Sequence, residues 1–268
     1  MTGIAAVEGN GTHRVLVLHG WALDSGVWLA ARALSDQARF TYAYLDFPGY
    51  GVNRNVPPAA SFDAMAAAAL KAADELQWDR FSVLGHSMGG ATALRVATLA
   101  PQRVRSVVAL TPVSPAGTPL DAATYATFKG AWADPGAAIR SALAPEISGT
   151  DLRNLVARNR ASMSQAVWET YLANWTSPDF MSELKRYIGP VTLFHGESDP
   201  FVTAGYLADT TKALSNGQLR CIVKAGHYPM VEQPALTVSL CEEALATSRG
   251  VPTEGFAYDS NRQPLGAP

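Results

Sequence analysis

Gly85-His86-Ser87-Met88-Gly89 is the stretch on which the fold of this chain turns. Before it, Phe81-Ser82-Val83-Leu84 runs into Gly85 as a short apolar strand. After it, Gly90-Ala91-Thr92-Ala93-Leu94-Arg95-Val96-Ala97 reads as a helix with small residues on its inner face. Strand, sharp turn and helix are the setting in which Gly-x-Ser-x-Gly raises a serine hydroxyl above the end of a sheet. The glycines leave room around a residue held in a strained backbone conformation. The same turn aims the Met88 N–H at the site, beside the positive end of the helix that follows. Ser87 is the candidate nucleophile, so the rest of the chain must supply a base, an acid and an oxyanion hole.

Working outward, apolar runs alternate with helical patterns. A polar start from Glu8 to Thr12 precedes the strand Arg14–Leu18, which ends in His19-Gly20-Trp21. A helix follows with Val27, Trp28, Ala31 and Leu34 at helical spacing, then the strand Thr41–Asp46 and an Ala-rich amphipathic helix over 61–77. Beyond the Ser87 turn, Val104–Leu110 is another buried strand. Val191–His195 and Gln218–Val223 are two more, with helices near 203–214 and 234–246. Such alternation implies a mostly parallel sheet covered on both faces. It is interrupted over 114–187, which is helical and aromatic. The expected organisation is a core over 1–113, a helical cap or lid over 114–187, the rest of the core over 188–248, and a flexible Gly/Pro-rich tail over 249–268.

A serine hydroxyl needs a histidine to take its proton and a carboxylate to hold that histidine's tautomer. In sheets of this kind the chain order is Ser, then acid, then His, each at a strand's C-terminal end. The loop Gly196-Glu197-Ser198-Asp199 supplies the acid: Asp199 is the candidate and Glu197 the competitor. Gly226-His227-Tyr228 follows the last strand, and His227 is the base. Of the other four histidines, His13 is expected to be exposed, His86 to point into the sheet, and His19 and His195 to be structural. Two donors must meet the oxyanion, and the backbone N–H groups of Trp21 and Met88 are the candidates.

Composition sets the outer bounds. With 268 residues, 48% apolar and 16% charged, the chain suits one large α/β domain with an insertion. A net charge of −2 gives no reason to expect nucleic acid or an anionic membrane as partner. No apolar segment reaches spanning length and no signal peptide is visible, so a cytoplasmic chain, monomer or homodimer, is expected. Cys221, in a strand, and Cys241, in a helix, are expected as buried reduced thiols.

Five pieces in order carry a resemblance: His19-Gly20-Trp21, Asp46-Phe47-Pro48-Gly49-Tyr50-Gly51, Gly85–Gly90, His195–Asp199 and Gly226–Pro234. The chain resembles the α/β-hydrolase superfamily over nearly everything but the insertion and tail. Within it, His19–Asp24 with Val27-Trp28 is similar to bacterial arylesterases with perhydrolase side activity and to carboxylesterases cleaving methyl esters of carrier-protein-bound pimeloyl chains. The resemblance implies a small-molecule carboxylic ester substrate, a serine acyl-enzyme and no cofactor or metal. A carbon–carbon hydrolase acting on meta-cleavage products, a lactonase, and a non-catalytic binding protein of the same fold are the alternatives. His86 before the serine tilts against the first of these.

The insertion should set substrate choice. Trp132, Trp168, Trp175 and Phe128, with Tyr228, are the candidate pocket residues, while at least half of the insertion's large apolar residues, these among them, recur at helical spacing and are expected to glue the insertion to the core. Arg153, Arg158 and Arg160 cluster on one helix. One of them turned inward would favour a substrate with a free carboxylate.

Overall fold

A computed structural model describes residues 3–177 and 179–246; the expected tail over 249–268 lies outside the described residues. In chain order the elements are β1 Ile4–Glu8, β2 His13–Leu18, α1 Leu29–Arg32, β3 Phe40–Leu45, α2 Phe62–Glu75, β4 Phe81–His86, α3 Met88–Leu99 and β5 Val104–Leu110. The insertion contributes α4 Ala122–Gly130, α5 Pro135–Ala142, α6 Gly149–Ser162 and α7 Gln165–Thr176. The core then resumes with β6 Val191–Gly196, α8 Ala204–Ala213, β7 Gly217–Ile222, α9 Pro229–Glu232 and α10 Pro234–Ala246. Among the described residues the strands form one sheet in the order β1-β3-β2-β4-β5-β6-β7. Every neighbouring pair is parallel except β1 with β3.

Alternation along the buried strands divides the core between two faces. Leu16 and Leu18 of β2 pack with Met65, Ala69, Met88 and Leu94 of α2 and α3. Val15 and Val17 point the other way, onto Trp28 and Ala31 and onto Val238, Cys241 and Leu245 of α10. Alanines on α2 and α3 let both helices lie close against the sheet. Ser61 caps α2 through its Oγ, 3.2 Å from the Ala64 N–H, and Gln77 turns the chain out at φ 57°. Each parallel strand therefore ends at the same edge of the sheet, where the Ser87, Asp199 and His227 loops gather.

Four expectations are corrected here. β1 was not foreseen: it is a short antiparallel edge strand, Ile4 opposite Leu45, too weakly apolar to stand out in sequence. The first crossover is a 3-10 turn over Ser25–Trp28 followed by the single-turn α1, so Leu34 falls beyond the helix and is 52% exposed. His13 is half-buried rather than exposed, its ring 2.8 Å from Ser82 Oγ at the start of β2. Cys221 is exposed, because β7 is the far edge strand; Cys241 is buried as expected, and both thiols are free.

Candidate active site

Ser87 sits at φ 52°, ψ −116°, a conformation costly for a residue with a side chain. The surroundings hold it there. Its N–H donates to Leu110 O at 2.8 Å, and its carbonyl accepts from the N–H groups of Gly90, Ala91 and Val113. Gly89 lets the turn close: a Cβ there would stand 2.3 Å from His19 O.

His227 Nε2 lies 3.0 Å from Ser87 Oγ, and His227 Nδ1 lies 2.8 Å from Asp199 Oδ2. Asp199 Oδ1 accepts from the N–H groups of Phe201 at 2.8 Å and Val202 at 3.0 Å. Burial by itself would raise the Asp199 carboxyl. The His227 charge and hydrogen bond, with the two amides, outweigh it and hold the group below the ordinary aspartate value. An ionised carboxylate only accepts, so the His227 proton sits on Nδ1 and the Nε2 lone pair faces Ser87. Glu197, the competing acid, is turned away to accept from the Lys224 N–H at 2.8 Å.

The loop carrying His227 is tied on several sides. Glu232 accepts from the N–H groups of Gly226 and Tyr228, both at 2.9 Å. The His227 carbonyl accepts from His86 Nε2 at 2.8 Å and Thr111 Oγ1 at 3.0 Å. His86 thus braces the His227 loop and lines the site instead of turning into the sheet. Burial, with the neighbouring His227 and His19 rings, drives its pKa well below the usual value, so it is neutral. His19 is structural as expected: Nε2 accepts from the Phe47 N–H at 3.0 Å and Nδ1 meets Gly20 O at 2.8 Å. His195 Nδ1 lies 3.2 Å from Gly196 O.

Met88 occupies the first position of α3, where an N–H has no acceptor within its own helix. Trp21 follows β2 one loop away, and Ala22 beside it has φ 64°. The Trp21 indole donates to Trp168 O at 3.0 Å and lines the site, tying the loop to α7.

These groups open on a cavity of about 650 Å³, mouth included, under the insertion. Its walls are apolar, with Phe128, Trp168, Trp175 and Tyr228 among them as expected, and Val113, Leu143 and Phe201 in addition. Trp132 is not on the wall: its ring stands edge-on behind Trp168 with the Arg160 guanidinium 4.5 Å over its face. Nor does any cluster arginine reach the cavity. Arg153 meets Thr150, Arg158 pairs with Asp24 at 2.7 Å, and Arg160 donates to Ala133 O. Tyr171 glues the insertion to the core, donating to Pro48 O at 2.8 Å. Sequence reading missed Phe201, Thr111, Glu232 and Asn159; Phe201, two residues beyond Asp199, carried the one usable signal. Among the described residues no group of three or more His, Cys, Asp or Glu could hold a metal ion, and no helix is long and apolar enough to cross a membrane.

Residues 13–234 match the model of a family described by its alpha/beta hydrolase fold. Among known proteins, the pimeloyl-[acyl-carrier protein] methyl ester esterase of Nitrosomonas europaea is 32% identical over 252 residues, covering 88% of this chain and 96% of its own. The protein of that name from Citrobacter koseri is 27% identical over 91% of this chain and 97% of its own. Two solved structures share the fold: a bromoperoxidase from Bacillus anthracis (TM-score 0.80, 20% identity, 90% of this chain and 94% of that one) and an enol-lactonase from Burkholderia xenovorans (TM-score 0.78, 16% identity, 90% and 95%).

Proposed function

The chain belongs to the alpha/beta hydrolase family, and on that premise we propose that it is a serine hydrolase cleaving carboxylic esters through an acyl-enzyme. The observation that carries this is the unbroken line from Asp199 through His227 to Ser87, at 2.8 and 3.0 Å, opening on an apolar cavity. His227 Nε2 takes the Ser87 proton as Oγ attacks the ester carbonyl. The Trp21 and Met88 N–H groups receive the oxyanion, and the imidazolium formed is stabilised by Asp199. His227 then returns the proton to the departing alcohol. It next draws a proton from water, which attacks the acyl-serine and frees the acid.

The methyl ester esterases of similar sequence support an ester as the bond cleaved. Because no Lys or Arg among the described residues lines the cavity, an uncharged acyl chain fits its walls better than one ending in a free carboxylate. The test is hydrolysis of p-nitrophenyl acetate, butyrate and octanoate by wild type and Ser87→Ala. Saturable turnover that vanishes in the variant supports the reading. Wild-type inactivity on every ester overturns it.

A further inference from the structure

Among the described residues, three side chains lining the cavity keep a buried polar atom with no hydrogen-bond partner: His86 at Nδ1, beside His227, and Asn159 and Trp175 on the wall formed by the helices over 114–187. Asn159, on α6, is 2% exposed, and its Nδ2 donates to Ala22 O at 3.0 Å. A carbonyl can only accept, so the amide nitrogen must be the atom facing Ala22, which leaves Oδ1 as a buried acceptor with nothing to accept from. Trp175, on α7, is also 2% exposed, and its indole N–H is a buried donor with nothing to donate to. Both residues line the cavity that receives Ser87 and His227. Unpaired groups of this kind are costly in a core, and native structures rarely keep them without a partner that comes and goes.

We propose that Asn159 Oδ1 and the Trp175 indole N–H bind an uncharged polar group of the substrate, a hydroxyl or a secondary amide, set along the chain from the scissile ester. Such a group donates to Asn159 and accepts from Trp175, while the aromatic walls take the apolar body. This assignment rests on the esterase reading and narrows it. Among the described residues no Asp, Glu, Lys or Arg lines the cavity to favour an ammonium or a carboxylate there. A site that hydrogen-bonds a substrate hydroxyl discriminates strongly against an isostere lacking it, because its own polar atoms are then left unpaired.

The experiment uses p-nitrophenyl esters hydroxylated at successive acyl carbons, each paired with the isostere carrying methyl in place of hydroxyl. For at least one pair, wild-type kcat/KM should favour the hydroxyl by about tenfold or more. Asn159→Leu should collapse that ratio towards one, and Trp175→Phe should lower it. Loss of the Ala22 tether alone would slow both members of a pair and leave the ratio standing, which would overturn the assignment, as would a wild-type ratio at or below one for every pair. Binding is read separately, from quenching of tryptophan fluorescence in Ser87→Ala by the same pairs. Equal affinity within every pair would mean that the two atoms serve bound water only, and the proposal fails. If wild type turns over no ester while Ser87→Ala still binds the hydroxylated member more tightly, the esterase reading falls and the polar subsite stands.

Discussion

The backbone N–H of His227 donates to the carbonyl oxygen of Leu143, 3.0 Å away. Leu143 closes α5 in the insertion, so the insertion holds the main chain of His227 directly. Gly226 is what allows the approach: a Cβ there would lie 3.0 Å from Ala144 Cα and 3.1 Å from both Leu143 O and Glu232 Oε2. Gly226→Ala should push the His227 loop off the insertion while leaving the apolar walls in place. Misplacing the base by a fraction of an ångström should lower kcat roughly tenfold to a hundredfold with a smaller change in KM. Steady-state kinetics on a p-nitrophenyl ester would show it. An unchanged kcat would mean that the contact does not position the base.

Asp199→Asn keeps the shape of the acid but can no longer hold the Nδ1 proton of His227 as an ionised acceptor does. Turnover should fall by roughly three to four powers of ten at neutral pH, with KM changed little. Glu197→Gln, whose carboxylate faces the Lys224 N–H, should cost far less. Comparable losses in the two variants would undo the assignment of the acid.

His13 makes stability depend on pH. Burial first, then the charges of Arg105 and Arg39, pull its pKa from 6.5 down to about 4 in the folded chain. Between those values the unfolded chain holds a proton that the folded one lacks, so stability falls as pH drops through that window. His86 and His19, also lowered by burial, act in the same direction. His13→Gln keeps a partner for Ser82 and cannot titrate. Its fall in Tm from pH 7 to pH 4.5 should be smaller than that of wild type, by scanning calorimetry. Equal falls would rule out His13 as a source of the slope.

The two thiols should separate in a labelling experiment. Cys221 is exposed on the edge strand and Cys241 is on the buried face of α10, its thiol pushed up by desolvation. One equivalent of Ellman's reagent should react quickly with the native chain, and a second only after denaturation. Two fast equivalents would contradict the packing of α10 against the sheet at β5.

Much of this molecule can be read from its residues, and the reason is physical. Ser87, Asp199 and His227 each follow an apolar strand that must end at the same sheet edge, so strand order alone brings their loops together. Phe128, Trp168 and Trp175 are too large to leave exposed, and the insertion turns them toward the site. What escaped depends on contacts across the chain. β1 is a strand only because β3 offers it an edge, and Cys221 is exposed because, among the described residues, no strand pairs beyond β7. Asn159 carries no sequence signal: one asparagine on a polar helix looks solvated until Ala22 takes its nitrogen and leaves its oxygen in the cavity. Trp132 shows the converse, an aromatic at pocket spacing that instead backs Trp168 beneath Arg160.

The most direct test of the acyl-enzyme is to catch it. Wild-type enzyme mixed with excess p-nitrophenyl ester and quenched in acid within milliseconds to seconds should release a burst approaching one p-nitrophenol per chain. Peptide mass spectrometry should place one acyl group on Ser87, and Ser87→Ala should show neither. Turnover without an adduct on Ser87, or a burst that survives Ser87→Ala, would contradict a serine acyl-enzyme.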